Sequence, residues 1–373
     1  MKQKLTYNWH LFNKTSHSPS LIDIVGEDMA SEIIDFCFIA NPYFPTDEIM
    51  EKMQKMMPLL IKMYPSSNPI NTVSQLASLL NVKPEQLIIG NGATELITII
   101  QSEFVHELAI PIPTFSEYTD TLRFHNSVRL FQLPPEKKYA LDLDVYAEWI
   151  TQHAIRSALI INPGNPTGQL IDRDKIIAFI SKMSHLEHII VDESFIDFAH
   201  DDIPSLIPYI NDLPNVIIIR SMSKHCGVPG LRLGYCCSSR TDVIARMNNL
   251  VPLWNINTLA EYFLSLLVKT NDVYHEMRKR VIVDVQFLFE SVRSIPGFYV
   301  YKTGSNFVMI KIECGFTALE IQRKLLEEYQ VYVRDCSNKI GLDSFHIRVS
   351  SQGKQKDAVL VAALQSISKE VYG

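Results

Sequence analysis

Lys224 stands just past an apolar run, in Arg220-Ser221-Met222-Ser223-Lys224, and Arg232 follows in Gly230-Leu231-Arg232-Leu233-Gly234. A lone lysine is ordinarily a solvated side chain. Here Ser221, Ser223 and Arg232 surround it with donors suited to a phosphate. An amine beside a phosphate cup is a nucleophile placed to form a Schiff base. Upstream, Gly90-Asn91-Gly92-Ala93-Thr94-Glu95 reads as a turn from strand to helix, and backbone N–H groups at a helix start bind anions. Asp192 closes another apolar run, and a buried carboxylate needs a cationic partner. Arg334 and Arg348 each lie in an apolar strand pattern. Their planar forks match anionic oxygens bidentately.

These residues need a scaffold that brings them together. Strand patterns fall at 87–90, 108–111, 128–133, 157–162, 188–192, 215–220 and 231–237, with helical patterns at 93–105, 172–184 and 240–249 between them. Alternation of this kind predicts an α/β fold with a mostly parallel seven-stranded sheet and helices on both faces. Ligands in such sheets bind beyond the carboxyl ends of the strands. After Trp254 the texture changes to long helical runs at 256–269 and 271–293, then strands at 298–301, 306–312, 330–334 and 345–350, with helices at 317–329 and 354–371. The expected division is a large domain, 42–254, and a small α+β domain built from 1–41 and 255–373. The Met-rich run 46–63 has helical apolar spacing suited to core or interface packing.

Composition narrows the class. The 373 residues carry 35 Lys+Arg against 41 Asp+Glu, a net charge of −6, which argues against a nucleic-acid binder. With 47% hydrophobic and 20% charged residues the chain can bury a sizeable core. No apolar run is long enough for a membrane span, and residues 1–20 lack the apolar stretch of a signal peptide. A cytoplasmic globular enzyme is expected. The six cysteines form no C-x-x-C pair and read as reduced core thiols. His185 and His188 have no carboxylate pattern beside them and read as surface residues, so no metal is expected.

The lysine segment resembles the lysine motif of the pyridoxal-phosphate enzymes of the aspartate aminotransferase fold, fold type I. Four further segments match in order, and the resemblance runs from about Ile39 to Gly373. It implies a Lys224 Schiff base with pyridoxal 5′-phosphate (PLP) and a large PLP-binding domain. Ala93 and Thr94, with Ser221, Ser223 and Arg232, are expected at the cofactor phosphate. Phe115, in Pro113-Thr114-Phe115-Ser116-Glu117-Tyr118, would stack on the pyridine. Asn165, in Asn162-Pro163-Gly164-Asn165-Pro166-Thr167-Gly168, would donate to the phenolic oxygen, with a cis Asn165–Pro166 bond. Asp192 would keep the ring nitrogen protonated. Phe195 departs from the commoner tyrosine, leaving Asn165 as the main donor. Tyr64 resembles a tyrosine that reaches the phosphate of the neighbouring subunit, implying a homodimer.

Arg348 matches the position that binds the substrate α-carboxylate, and Arg334 an arginine that contacts a distal phosphate. Asn41 lies in Asn41-Pro42-Tyr43, a shortened substrate-loop motif. Two branches are nearest, histidinol-phosphate aminotransferase and threonine-phosphate decarboxylase. The expected activity is an aminotransferase acting on a small phosphorylated or phosphonate-bearing amino acid. The alternative is a decarboxylase of threonine phosphate or serine phosphate. A catalytically silent ligand sensor is disfavoured by the intact Lys224, Asp192 and Arg232.

Overall fold

The computed structural model describes residues 7–13, 17–120 and 128–373. Thirteen strands lie among them. β1 is Ile34–Asp35, β2 Leu87–Asn91, β3 Leu108–Ile112, β4 Val128–Gln132, β5 Ser157–Ile161, β6 His188–Asp192 and β7 Val216–Ser221. β8 is Leu233–Cys237, β9 Phe298–Val300, β10 Phe307–Ile312, β11 Val331–Tyr332, β12 Arg334–Asp335 and β13 His346–Ser350. The large sheet has seven strands in the order β2-β8-β7-β6-β5-β3-β4. β8 alone runs antiparallel to its neighbours, so the sheet is mostly parallel, as the alternation predicts.

The central strands are buried on both faces, which explains their near-continuous Ile and Val content. Side chains alternate between two cores. Ile189, Val191, Val216 and Ile218 enter one, and Ile190, Ile217 and Ile219 enter the other. The reversal of β8 has a functional consequence. It brings the start of β8, and with it Arg232, to the edge where β2, β6 and β7 end.

The small domain pairs β12, β13, β10 and β9 in one antiparallel sheet, over a core that includes Val285, Leu288, Val349 and Leu364. The strand pattern at 330–334 divides into two. β11 pairs in parallel with the two-residue β1, and β12 joins β13. The N-terminal segment packs here: Phe36 lies in this core, and Ile24, Ile33 and Cys37 pack on Leu326 and Tyr332. By contrast, Ala260, Phe263, Leu264 and Tyr274 lie in the core of the large sheet. We therefore propose that the changeover between domains falls within the helix Asn271–Arg293, not after Trp254. No helix among the described residues is long and apolar enough to cross a membrane.

Candidate active site

A cavity of about 310 Å³ opens where the strand ends of the large sheet meet the small domain. Ala93, Thr94, Phe115, Asn165, Asp192, Ser221, Ser223, Lys224, Arg232, Arg334 and Arg348 all line it. Eleven of the thirteen site residues expected from sequence therefore meet in one place. The elements explain how. Ala93 and Thr94 open the helix Gly92–Glu103, whose N-terminus has no side-chain cap, leaving N–H groups for an anion. Gly234 permits the close packing: a Cβ there would lie 2.3 Å from the Ala93 nitrogen. Gly92 has φ +77 and faces Arg232, whose Nη2 would lie 2.5 Å from a Cβ at that position. The guanidinium thus sits over the helix start.

Lys224 follows β7 on a single helical turn, Met222–His225. Burial, then the charges of Arg348 and Arg232, pull its ammonium down to about 8. A useful fraction of the neutral amine is therefore present near neutral pH. Asp192 ends β6 and is buried. It accepts from Tyr118 Oη at 2.9 Å and from the Ser194 backbone N–H at 2.9 Å. Burial pushes its carboxyl up against those hydrogen bonds and Lys224. Tyr118 is a partner that the sequence reading missed, although its spacing from Phe115 puts both at one helix start.

Arg334 and Arg348 are direct register partners on β12 and β13, and both are buried. Like charges directly opposite each other across a sheet are unfavourable, and an anionic ligand between them would offset that repulsion. Arg348 Nη1 donates to Asn165 Oδ1 at 2.8 Å and Nη2 to the Cys37 carbonyl at 2.8 Å. The Asn165 carbonyl is thereby committed, and its amide N–H₂ is the group left for a ligand. The Asn165–Pro166 bond is cis.

Two expected residues lie elsewhere. Asn41 does not line the cavity, because its side chain is used on backbone. Its Nδ2 donates to the His225 carbonyl at 3.1 Å, and its Oδ1 accepts from the Tyr43 N–H at 2.9 Å. Its own backbone N–H donates to the Lys224 carbonyl at 2.8 Å. Gly227, φ +63, lets this segment press on the lysine loop, since a Cβ would fall 1.8 Å from the Phe44 carbonyl. Tyr64 is 78% exposed and stacks on Trp254 at 4.8 Å between ring centroids.

Lys339 was not foreseen. It lines the same cavity, is 7% exposed and donates to Ser116 Oγ. In sequence, Cys336-Ser337-Asn338-Lys339-Ile340-Gly341 reads as a solvated turn, and nothing in it signals a buried ammonium. His17 and Ser18 also reach the cavity wall.

The donor set fits a phosphorylated pyridoxal. Ser223 Oγ is buried without a partner among the described residues, one residue from the amine and on the same wall as the helix start and Arg232. A phosphate supplies the acceptor that this hydroxyl lacks. Asp192 would supply the anion for a protonated ring nitrogen, and Phe115 a ring face.

Residues 31–366 match the family model "Aminotransferase class I and II". The chain belongs to that family, and its cofactor is pyridoxal 5′-phosphate. Within it, the chain is 33% identical to L-serine phosphate decarboxylase Cj1436c of Campylobacter jejuni over 95% of this chain and 94% of that one. It is 34% identical to L-serine phosphate decarboxylase of Sulfurospirillum multivorans, covering 96% and 94%. A solved decarboxylase from Sulfurospirillum multivorans superposes with a TM-score of 0.81 at 33% identity, covering 90% and 94%. These relatives overturn the expectation of an aminotransferase. The motifs did not discriminate because Lys224, Asp192 and Arg348, in the roles expected of them, would serve either reaction.

Proposed function

We propose that the protein is a PLP-dependent decarboxylase of L-serine phosphate, one of the two substrates, threonine phosphate or serine phosphate, in the alternative reading of its sequence. The reaction type rests on the likeness to the two decarboxylases, and the observation that carries the substrate's charge is the paired, buried Arg334 and Arg348 on the cavity wall. Two guanidinium groups side by side suit a small amino acid with an anion at each end. The near full-length likeness to two L-serine phosphate decarboxylases supports the same substrate.

When bound, the cofactor supplies an electron sink for the pair left behind as carbon dioxide departs. The chain's own residues do the rest. Ala93, Thr94, Ser221, Ser223 and Arg232 would hold the cofactor phosphate. Phe115 would pack on the ring, Asn165 Nδ2 would donate to its phenolic oxygen and Asp192 would keep the ring nitrogen protonated. Phe195, packed edge-to-face on Phe307 at 5.2 Å, has no hydroxyl, so Asn165 is the donor at that oxygen. Arg348 binds the carboxylate and Arg334 the phosphate. Lys224 Nζ would hold the cofactor until the substrate amine takes its place, and its ammonium form would then deliver a proton to Cα. The Cα–carboxylate bond breaks, a Cα–H bond forms, and the products are carbon dioxide and O-phosphoethanolamine.

The test is carbon dioxide release from O-phospho-L-serine with and without 2-oxoglutarate. Release without any keto acid, with O-phosphoethanolamine in equal amount, is expected. An absolute requirement for the keto acid, or preference for O-phospho-L-threonine, overturns the reading.

We also propose a homodimer in which Tyr64 reaches the partner's cofactor phosphate. Its exposure supports this, as do the exposed Met50, Met57, Leu59, Ile61 and Met63 leading up to it. Tyr64→Phe is expected to weaken cofactor binding about tenfold, the loss of one hydroxyl to a phosphate, while sedimentation still shows a dimer. An unchanged cofactor affinity removes Tyr64 from the site. All six cysteines are buried free thiols, which fits a reducing compartment and supports a cytoplasmic location.

A further inference from the structure

We propose that Lys339, aimed by Ser116, reads the substrate's phosphate and makes the site selective for a phosphomonoester over a singly charged acid group. This rests on the decarboxylase reading for the substrate's identity, and on geometry for the anion site itself.

The two residues come from opposite domains. Ser116 lies after β3 in the large domain, and Lys339 follows β12 in the small one. Their hydrogen bond therefore spans the cavity between them. Lys339 forms no ion pair among the described residues. An ammonium buried without a counter-ion is unfavourable, and in a ligand cavity the missing anion is a ligand. The same turn serves Arg334. The Lys339 N–H donates to the Cys336 carbonyl at 3.0 Å, and Asn338 Oδ1 accepts from Arg334 Nη2 at 2.7 Å. One short segment thus sets both cations.

Charge balance gives the selectivity. On the small-domain wall of the cavity Arg348, Arg334 and Lys339 bring three positive charges, while Glu117 lines the large-domain wall and Lys224, Arg232 and Asp192 lie toward the cofactor end. A carboxylate and a phosphomonoester bring about three negative ones, because the phosphate carries close to two at neutral pH. A sulfate ester of the same shape carries one fewer and leaves a buried cation unmatched.

The site also has a pH signature. Burial and the neighbouring Arg334 bring Lys339 down to about 7. Arg348 lowers it further, while Cys336 and Asp120 oppose them, and His17 also faces it. In the ligand-free enzyme the charge is present below about pH 7 and lost above it. The KM for the phosphate substrate is therefore expected to rise as pH increases through about 7.

The experiment uses the cofactor-loaded enzyme and its Lys339→Met and Lys339→Arg variants. Calorimetric titration with O-phosphoethanolamine needs no turnover. Lys339→Met is expected to bind it about 100-fold more weakly, the size of a lost buried charge contact. The KM for O-phospho-L-serine should rise similarly, while binding of O-sulfo-L-serine changes less than about threefold on the same argument. Lys339→Arg should recover much of the affinity and abolish the rise in KM above about pH 7. Should Lys339→Met lose cofactor absorbance, Ser116→Ala carries the test, with an expected loss of about fivefold for one hydrogen bond. Unchanged O-phosphoethanolamine affinity in the folded variant overturns the proposal. If wild type binds O-phosphoethanolamine through Lys339 but releases no carbon dioxide from O-phospho-L-serine, the phosphate site stands and the decarboxylase reading falls.

Discussion

Lys224→Ala is expected to lower carbon dioxide release from O-phospho-L-serine by at least about 10³-fold, the range lost when a positioned proton-transfer group is removed. On the proposed reading the lysine has two tasks, carrying the cofactor and moving a proton to Cα, and no neighbour among the described residues is placed to replace it in both. Borohydride should fix the cofactor on Lys224 in wild type and on no residue in the variant. Fixation on Lys339, the other lysine on the cavity wall among the described residues, would transfer the role and overturn the assignment. Chemistry separates this loss from a structural one. A small amine such as methylamine should restore part of the proton transfer, which a misfolded site does not allow.

The stability arm has a definite sign. The folded Lys224 has a value of about 8, below its ordinary 10.5. A lysine depressed on folding opposes folding once it is protonated, so its penalty grows as pH falls from the unfolded value through about 8. Removing it leaves the cofactor-free protein at least as stable near neutral pH. A melting temperature several degrees below wild type in the cofactor-free variant would show that Lys224 supports the fold directly. The same value predicts that cofactor attachment quickens as pH rises toward about 8 and the neutral amine fraction grows.

The residues proposed to hold the cofactor stood out in sequence because they sit at strand ends, where alternating apolar runs and Gly-rich turns announce them, and they meet in one cavity. Asp192, Lys224 and Ala93 each end or follow a run of Ile and Val. The substrate half was legible only where an arginine interrupts an apolar strand, as Arg334 and Arg348 do. Lys339 interrupts nothing. Its burial is created by Ser116, which is remote in sequence and in the other domain. Asn41 failed for the converse reason. Its motif placed it near the substrate, but its side chain is bound to the His225 carbonyl and the Tyr43 N–H, which makes it a support for the lysine loop. The reaction type was not legible at all, since it depends on which Cα bond is aligned with the ring's electron sink, and the same side chains serve both alignments.

Asp192→Asn is expected to lower kcat by about 10²–10⁴-fold, with a smaller change in KM. The substitution keeps the shape of the side chain and one of its acceptor oxygens. The amide carbonyl that replaces the carboxylate can still accept a hydrogen bond from Tyr118 Oη or the Ser194 N–H, so the fold around β6 is retained. What is lost is the negative charge, and with it, on the proposed reading, the means of holding a proton on the ring nitrogen. The opposite effect is expected without cofactor. Burial raises the Asp192 carboxyl above its ordinary value, so the ionised form opposes folding, increasingly as pH rises from the unfolded value of 3.8 through the folded one. The cofactor-free Asp192→Asn protein should therefore melt higher than wild type near neutral pH, while the cofactor raises its melting temperature less than it raises that of wild type. This crossing of the two stabilities distinguishes a charge held in readiness for the ring from a structural carboxylate. A variant that melts lower than wild type both with and without cofactor would make Asp192 a structural residue. Retention of wild-type kcat would remove it from the reaction.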